Sequence, residues 1–176
     1  MIRDIRLYGD PVLRRAVKPI SDISEQVVRL AEDMAETMFA RGGIGLAAPQ
    51  VGESVSLAVV DLSLRGNHGR TLILVNPKVL GQEGEWVYEE GCLSIPEVRA
   101  DVVRPQKIVV RFLDIDGNSH EIEVEGMLAR VILHEVDHLD GVLFVDHLPF
   151  LKRQLLKPKL LRIAKGDISL KDDRPL

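Results

Sequence analysis

Two histidines and a glutamate at residues 134–138 are the side chains best suited to chemistry in this chain. They occur in the order His134-Glu135-Val136-Asp137-His138. Residues four apart lie on the same face of a helix, so both imidazoles can bind one metal ion. Glu135 lies close enough to exchange a proton with a water molecule at such an ion without being a ligand. Because an ordinary buried helix can also contain two hydrogen-bonded histidines, the decisive question is whether a third ligand exists.

The third ligand is not apparent downstream. Phe144 occupies the position where one large class of zinc proteases has a third histidine, and no Asp or Glu lies between Asp146 and Asp167. Upstream, the chain has a single cysteine, Cys92. A thiolate with two imidazoles leaves a fourth position open, as in catalytic rather than structural metal sites. We therefore predict that this cysteine and both histidines hold one divalent metal ion.

Three short motifs give the chain a resemblance to a known family. They are Gly43-Ile-Gly-Leu-Ala-Ala-Pro-Gln50, Glu90-Gly-Cys-Leu-Ser94 and His134-Glu-Val-Asp-His138. Together, in this order, they resemble the signature motifs of peptide deformylase, and the resemblance extends from Asp10 to Phe144. One departure is Leu133, where many members have glutamine; this residue is not a ligand.

The resemblance implies a function. Enzymes of this family remove the N-formyl group from the N-terminal methionine of newly made polypeptides, with release of formate. It also implies that Fe²⁺ is the metal, although cysteine and histidine ligands suit Zn²⁺, Ni²⁺ and Co²⁺ as well. The expected partners are therefore N-formylmethionyl nascent peptides.

The resemblance also assigns catalytic roles. Glu135 would accept a proton from the attacking water and return it to the departing amine. The side-chain amide of Gln50 and the backbone N–H of Leu93 would stabilise the oxyanion of the transition state, each contributing roughly 3 kcal/mol.

Substrate contacts are expected on two sides of the metal. Met127 and Val131 share a helix face with the histidines and are predicted to line an apolar pocket for a methionine side chain, although they could equally belong to the core. The resemblance implies that Ile44 closes this pocket, and that residues near Gly45 and Gly91 hold the substrate backbone in strand-like pairing.

Asp137 is predicted to lie behind the metal rather than to bind it. Carboxylates in such positions commonly orient a histidine ligand. Asp137 could do so, or could pair with a base such as Arg104.

Composition indicates a cytoplasmic enzyme of one domain. The chain has 176 residues, of which 45% are hydrophobic and 28% charged. The sequence contains no apparent membrane span or signal peptide, and a single cysteine excludes an internal disulfide. The net charge of -4 argues against sequence-specific or general nucleic-acid binding.

The pattern of elements predicts an α+β fold with short antiparallel or mixed strands around a central metal-bearing helix. A first helix is expected from Ser24 to about Arg41 and a strand from Val55 to Val60. A further strand, Thr71–Val75, is expected to stop at Asn76-Pro77, and Asp116-Gly117-Asn118 should turn a hairpin.

A basic segment, residues 150–166, follows the predicted catalytic region. Lys152 to Lys165 contain no acid, and the substrate emerges from the ribosome, so this segment could attach to ribosomal RNA through its positive charge. An ordinary solvated helix is the alternative. Pro158 is expected to interrupt any single helix here, and residues 167–176 are expected to form a loose tail.

Two other functions remain open at this level. A metallopeptidase would share the helix motif but not the cysteine motif. A structural metal site would need a fourth protein ligand, which His68, His120 or His147 could supply, but it would leave Glu135 without a role.

Overall fold

The structure, a computed structural model, describes residues 1–64 and 70–168. The three α-helices of this part are α1 (Glu25–Ala40), α2 (Gly126–Leu139) and α3 (Phe150–Ala164). The strands are β1 (Gly45–Ala47), β2 (Leu57–Asp61), β3 (Thr71–Glu83), β4 (Trp86–Cys92), β5 (Ile95–Arg104), β6 (Lys107–Leu113) and β7 (Ser119–Glu125). Short 3₁₀ helices cover Pro11–Arg14, Ala48–Val51 and Phe144–His147. The predicted α+β fold is confirmed.

The larger sheet has five strands in the order β1-β2-β3-β6-β7, and every pair in it is antiparallel. All five residues of β2 are buried. Successive side chains of a strand point to opposite faces. Accordingly, Ala58 and Val60 pack in the core that contains α2, whereas Leu57 and Val59 pack in the core that contains α1. The sheet is therefore covered by one helix on each face.

The second helix, α2, is the central element that the sequence predicted. It begins at Gly126, whose positive φ of 63° lets the chain turn sharply from β7 into the helix. Nine of its fourteen residues are buried. Both histidines therefore lie on a rigid, internally packed helix.

The smaller sheet, β4 and β5, brings the cysteine motif to this helix. Its inner residues join a third core with α3 and with the segment after α2, in which Phe144 and Ile163 are fully buried. Cys92 is the last residue of β4, so the packing of this hairpin determines where its sulfur lies.

The prediction that Asn76-Pro77 ends a strand is wrong. Strand β3 continues to Glu83 through a register shift between Val75 and Lys78. Asn76 adopts a positive φ of 51°, and its side chain bonds both the N–H and the carbonyl of Ile20 at 2.8 Å. The resulting bulge places Pro77, which has no N–H, where the ladder needs no donor.

The prediction that Pro158 interrupts the basic segment is also wrong, because α3 runs continuously from Phe150 to Ala164. A proline inside a helix costs about 3 kcal/mol. Burial of Leu160 and Ile163 offsets this cost, since each such side chain contributes about 1.5–3 kcal/mol. Pro158 itself is exposed, so water can bond the carbonyl that it leaves unpaired.

The predicted tail, residues 167–176, lies largely outside the described residues. Within residues 1–64 and 70–168, no helix is both long and apolar enough to cross a lipid bilayer.

Candidate active site

Cys92, His134 and His138 come together where β4 meets α2. One possible ligand atom from each residue lies within 4.8 Å of the other two. The sulfur of Cys92 is 3.2 Å from Nε2 of His138, and the two imidazole rings have centroids 5.0 Å apart. One soft and two borderline donors at this spacing suit a transition metal such as iron, zinc, nickel or cobalt. The residues therefore fit a divalent metal ion.

Glu90 orients the first histidine. Its Oε2 lies 3.0 Å from Nδ1 of His134, which leaves Nε2 of the same ring for a metal. Burial raises the pKa of Glu90, but hydrogen bonds from His134 and Arg104 outweigh burial and hold the pKa well below its usual range. The glutamate is thus a permanent anion behind the ligand.

Two arginines hold Glu90 in turn. Arg104 donates to both of its carboxylate oxygens, at 2.6 and 3.0 Å, and Arg130 donates to Oε1 at 2.6 Å. Arg104 also donates to Asp137 at 2.7 Å. We call these four residues, Glu90, Arg104, Arg130 and Asp137, the buried charge cluster. Its formal charges cancel.

Asp137 pairs with Arg104, one of the two arrangements that the sequence suggested. Its Oδ2 also lies 2.7 Å from Nε2 of His147. The carboxylate that bonds one of the two candidate histidine ligands is Glu90 rather than Asp137.

The two histidines differ in their preference for a proton. Burial lowers the pKa of His134, yet hydrogen bonds to Cys92 and Glu90 raise it by more, so this part of the site favours positive charge. Burial together with the charge of His134 lowers the pKa of His138 well below its usual value. His138 is therefore neutral at physiological pH, the form that binds a metal.

Glu135 is buried beside the candidate ligands with one oxygen unpaired. Among the described residues, its Oε2 has no hydrogen-bond partner. Burial raises its pKa to about 7, against the opposing charges of His134 and Arg104. A carboxyl group with such a pKa can both take and return a proton near neutral pH.

Gln50 directs its amide nitrogen at the cysteine. Its Oε1 accepts a hydrogen bond from the backbone N–H of Ala47 at 2.8 Å, which fixes the orientation of the amide. Its Nε2 lies 3.4 Å from the sulfur of Cys92 and 3.3 Å from Oγ of Ser94. A fully buried donor is thus held at the edge of the site.

A cavity of about 830 Å³ opens onto these residues. All of the predicted pocket and backbone-binding residues line it: Ile44, Gly45, Gly91, Met127 and Val131. Leu93, Gln50 and Glu135 line it as well. The structure therefore gathers the predicted substrate contacts around one space.

Gly45 is needed there for steric reasons. A Cβ atom on this residue would lie 2.8 Å from Cγ1 of Val131, and closer still to the carboxylate of Glu135. No side chain fits without displacing one of them. Gly91 differs, because a Cβ there would make only ordinary contacts, the nearest at 3.5 Å with Arg99.

The other histidines have separate partners. His120 lies 2.6 Å from Asp114 in the β6–β7 hairpin, and His147 contacts Asp137. His68 lies outside the described residues. In the part of the chain that the structure describes, the only group of three side chains placed so that it could hold a metal ion is Cys92, His134 and His138.

Sequence reasoning missed Glu90 and Arg130. Glu90 lies two residues before Cys92, inside one of the three motifs. This position could have indicated a role at the site. Arg130 is the one polar residue between the start of α2 and His134, and this was the signal in its case.

Comparisons with known proteins agree with these motifs. The family model described as polypeptide deformylase matches residues 2–154. A peptide deformylase of Cytophaga hutchinsonii is 49% identical over 171 residues, which cover 95% of this chain and 93% of that protein. One of Acidobacterium capsulatum is 43% identical over 166 residues, covering 94% and 98%.

Solved structures show the same likeness. The crystal structure of a peptide deformylase from Legionella pneumophila has a TM-score of 0.87 at 41% identity, covering 95% of this chain and 98% of that one. The peptide deformylase of Thermus thermophilus gives 0.87 at 43% identity, covering 94% and 99%.

Proposed function

We propose that Cys92, His134 and His138 form the catalytic centre of this chain, which belongs to the peptide deformylase family. Enzymes of this family are hydrolases, and the chain removes the N-formyl group from newly made polypeptides. The observation that carries this proposal is the convergence of three possible ligand atoms beside a buried carboxylate, of which one oxygen has no partner among the described residues. A metal-binding site with a purely structural role would have no use for that carboxylate.

We propose that the metal is Fe²⁺, with Zn²⁺, Ni²⁺ or Co²⁺ as functional replacements. The donor set admits all four, and the choice of iron rests on the family. When bound, the ion supplies Lewis-acid chemistry and lowers the pKa of water, to about 7 at a zinc site.

Glu135 would move the proton. It takes a proton from the attacking water and returns it to the amine that departs when the formyl C–N bond breaks. Its raised pKa supports both roles. Gly45 leaves room for this carboxylate, because any side chain at residue 45 would occupy its position.

Gln50 and Leu93 would stabilise the oxyanion. The amide of Gln50 cannot rotate freely, since its oxygen is bonded to Ala47. A preoriented donor needs no reorganisation during the reaction. The backbone N–H of Leu93, next to Cys92, would be the second donor.

Met127, Val131 and Ile44 would form the pocket for the methionine side chain. Met127 and Val131 lie on the α2 face that lines the cavity, and Ile44 lies beside Gly45 at the same cavity. We propose that Gly45 and Gly91 hold the substrate backbone in strand-like pairing. The small formyl hydrogen would then distinguish this substrate from acetylated or internal amides.

We further propose that the whole chain acts as one catalytic domain in the cytoplasm, where nascent chains emerge, and that α3 attaches it to the ribosome. Exposed Lys152, Arg153, Lys157 and Arg162 support this attachment. Lys159 does not, because its ammonium group bonds the carbonyl of Glu97 and helps to dock α3.

A formate-release assay tests the function. The Fe²⁺-loaded protein, handled without oxygen, should release one formate per molecule of formyl-methionyl peptide and leave acetyl-methionyl peptide intact. Cleavage of internal peptide bonds without formate release would instead identify a metallopeptidase. Stoichiometric metal without either activity would identify a structural site.

A further inference from the structure

Arg130 connects the two elements that carry the candidate metal ligands. Helix α2 provides both histidines, and strand β4 ends at Cys92. Arg130 lies on α2 one turn before His134, and its side chain reaches across to β4. The distance between the sulfur and the imidazoles depends on how β4 sits against α2, so any contact between these elements bears on the site.

The guanidinium contacts three alternate residues of β4. Trp86, Tyr88 and Glu90 lie on one face of the strand because side chains alternate along it. The guanidinium carbon is 4.9 Å from the centre of the Trp86 ring and 5.8 Å from that of Tyr88. It donates to Oε1 of Glu90 at 2.6 Å and to the backbone carbonyl of Trp86. The Arg130 side chain thus contacts β4 from its first residue, Trp86, to Glu90.

The same group also bonds β5, through the carbonyl of Val102 at 3.2 Å. The Arg130 side chain is 3% exposed and the Glu90 side chain 5% exposed. Hydrogen bonds of a buried charge are expensive to lose, because no water replaces them. A planar guanidinium can stack on rings and bond carboxylate and carbonyl oxygens at once, which a lysine ammonium cannot do.

We propose that Arg130 is a positioning residue, which sets the register of β4 against α2 and thereby the distance of Cys92 from the two histidines. This inference rests on the metal centre proposed above. Arg130 itself does not touch the metal. It acts through Glu90, the orienting partner of His134, and through the strand that ends at the cysteine. Arg104, the last residue of β5, also donates hydrogen bonds to Glu90, so both arginines bind the same carboxylate.

The test compares Arg130→Met and Arg130→Lys with the parent chain and with Arg3→Met. Arg3 serves as the control, because its guanidinium also joins separate segments of the chain, here by pairing with Asp33 and Glu53 at 3.0 and 2.9 Å. Each protein is loaded with Co²⁺. The dissociation constant is measured by competition with a chelator, and the visible absorption spectrum reports the ligand geometry.

We expect Arg130→Met to bind Co²⁺ about 10–100-fold more weakly, the usual cost of losing a residue behind a ligand. Its absorption spectrum should shift, and kcat should fall. Arg130→Lys should recover part of the affinity through its bond to Glu90. Arg3→Met should keep the affinity and the spectrum of the parent, even if it unfolds at a lower urea concentration.

Three results would overturn the proposal. If Arg130→Met loses only stability and matches the parent in dissociation constant and spectrum, Arg130 is a structural support alone. If Arg130→Met does not fold, the comparison is made with Arg130→Lys. A dissociation constant and a spectrum equal to those of the parent chain in this variant would then refute the proposal. If the parent chain fails to bind one Co²⁺ per molecule, the proposed metal centre itself is wrong and the inference falls with it.

Discussion

Charged side chains are used differently in the buried charge cluster and on the exposed face of α3. In the cluster, each charge has a fixed partner; the Arg104 side chain is only 4% exposed and bonds both Glu90 and Asp137. On α3, Lys152, Lys157 and Arg162 project into solvent. Low polarity strengthens buried pairs and makes a lost partner costly, whereas water and salt weaken exposed charges. The buried charges therefore determine geometry, and the exposed charges can contribute only long-range attraction.

The largest effect is expected for Cys92→Ala, which would remove the one anionic side chain among the three proposed metal ligands. The variant should lose stoichiometric metal, measured by elemental analysis after gel filtration. Deformylation should fall by about a thousandfold or more, because a metal supplies several kcal/mol of transition-state stabilisation. Full metal occupancy in this variant would exclude the cysteine as a ligand.

A pair of arginine substitutions tests the contrast between buried and exposed charges. Arg104→Met leaves the buried Glu90 and the partly buried Asp137 with fewer partners and should lower the free energy of unfolding by about 3–5 kcal/mol. Arg111→Met, which breaks the exposed pair with Glu121, should lower it by about 0–1 kcal/mol. Urea unfolding of the metal-free proteins measures both values. Equal losses would show that burial does not distinguish these two charge pairs.

Glu135→Gln separates catalysis from stability within the buried region. Glutamine has the same size but cannot exchange a proton, so turnover should fall at least about a hundredfold while metal binding is retained. Because a neutral amide costs less to bury than a carboxylate with one unpaired oxygen, the free energy of unfolding should not decrease. Near-normal formate release would remove Glu135 from the mechanism.

The smallest effect on catalysis is expected from the exposed region. Replacing Arg153, Lys157 and Arg162 with glutamine should leave kcat/KM for a short formyl-methionyl peptide within about twofold. Binding to ribosomes should weaken at low salt, with a shallower dependence on salt concentration. Lys159 is left in place because it docks α3.

The control removes the same charge elsewhere, from Arg29, Lys78 and Arg111. If it weakens ribosome binding equally, only net charge matters. If the α3 variant keeps the parental salt dependence, α3 has no part in attachment.

Local rules were sufficient to propose much of the site. The four-residue spacing of His134 and His138 fixes their common face once a helix forms, and the single cysteine left few choices for a third ligand. The turn residues Asp116-Gly117-Asn118 identified the hairpin of β6 and β7, and the pattern of elements indicated the α+β class.

Long-range packing decided the rest. Asn76 continues β3 because its side chain bonds Ile20, 56 residues away in the sequence, and α3 passes Pro158 because Leu160 and Ile163 are buried. Neither contact is visible in a local pattern.

The difference between local sequence rules and long-range packing also separates the proposed metal ligands from the residues that bond to them. A metal ligand can be recognised by its residue type and spacing, because the chemistry of coordination restricts both. Glu90 acquires its role only when β4 places it against His134, and Arg130 acquires its role only when α2 lies across β4. The sequence by itself determined which residues could bind a metal. The tertiary structure decided what orients them, because hydrogen bonds between distant segments depend on how those segments pack.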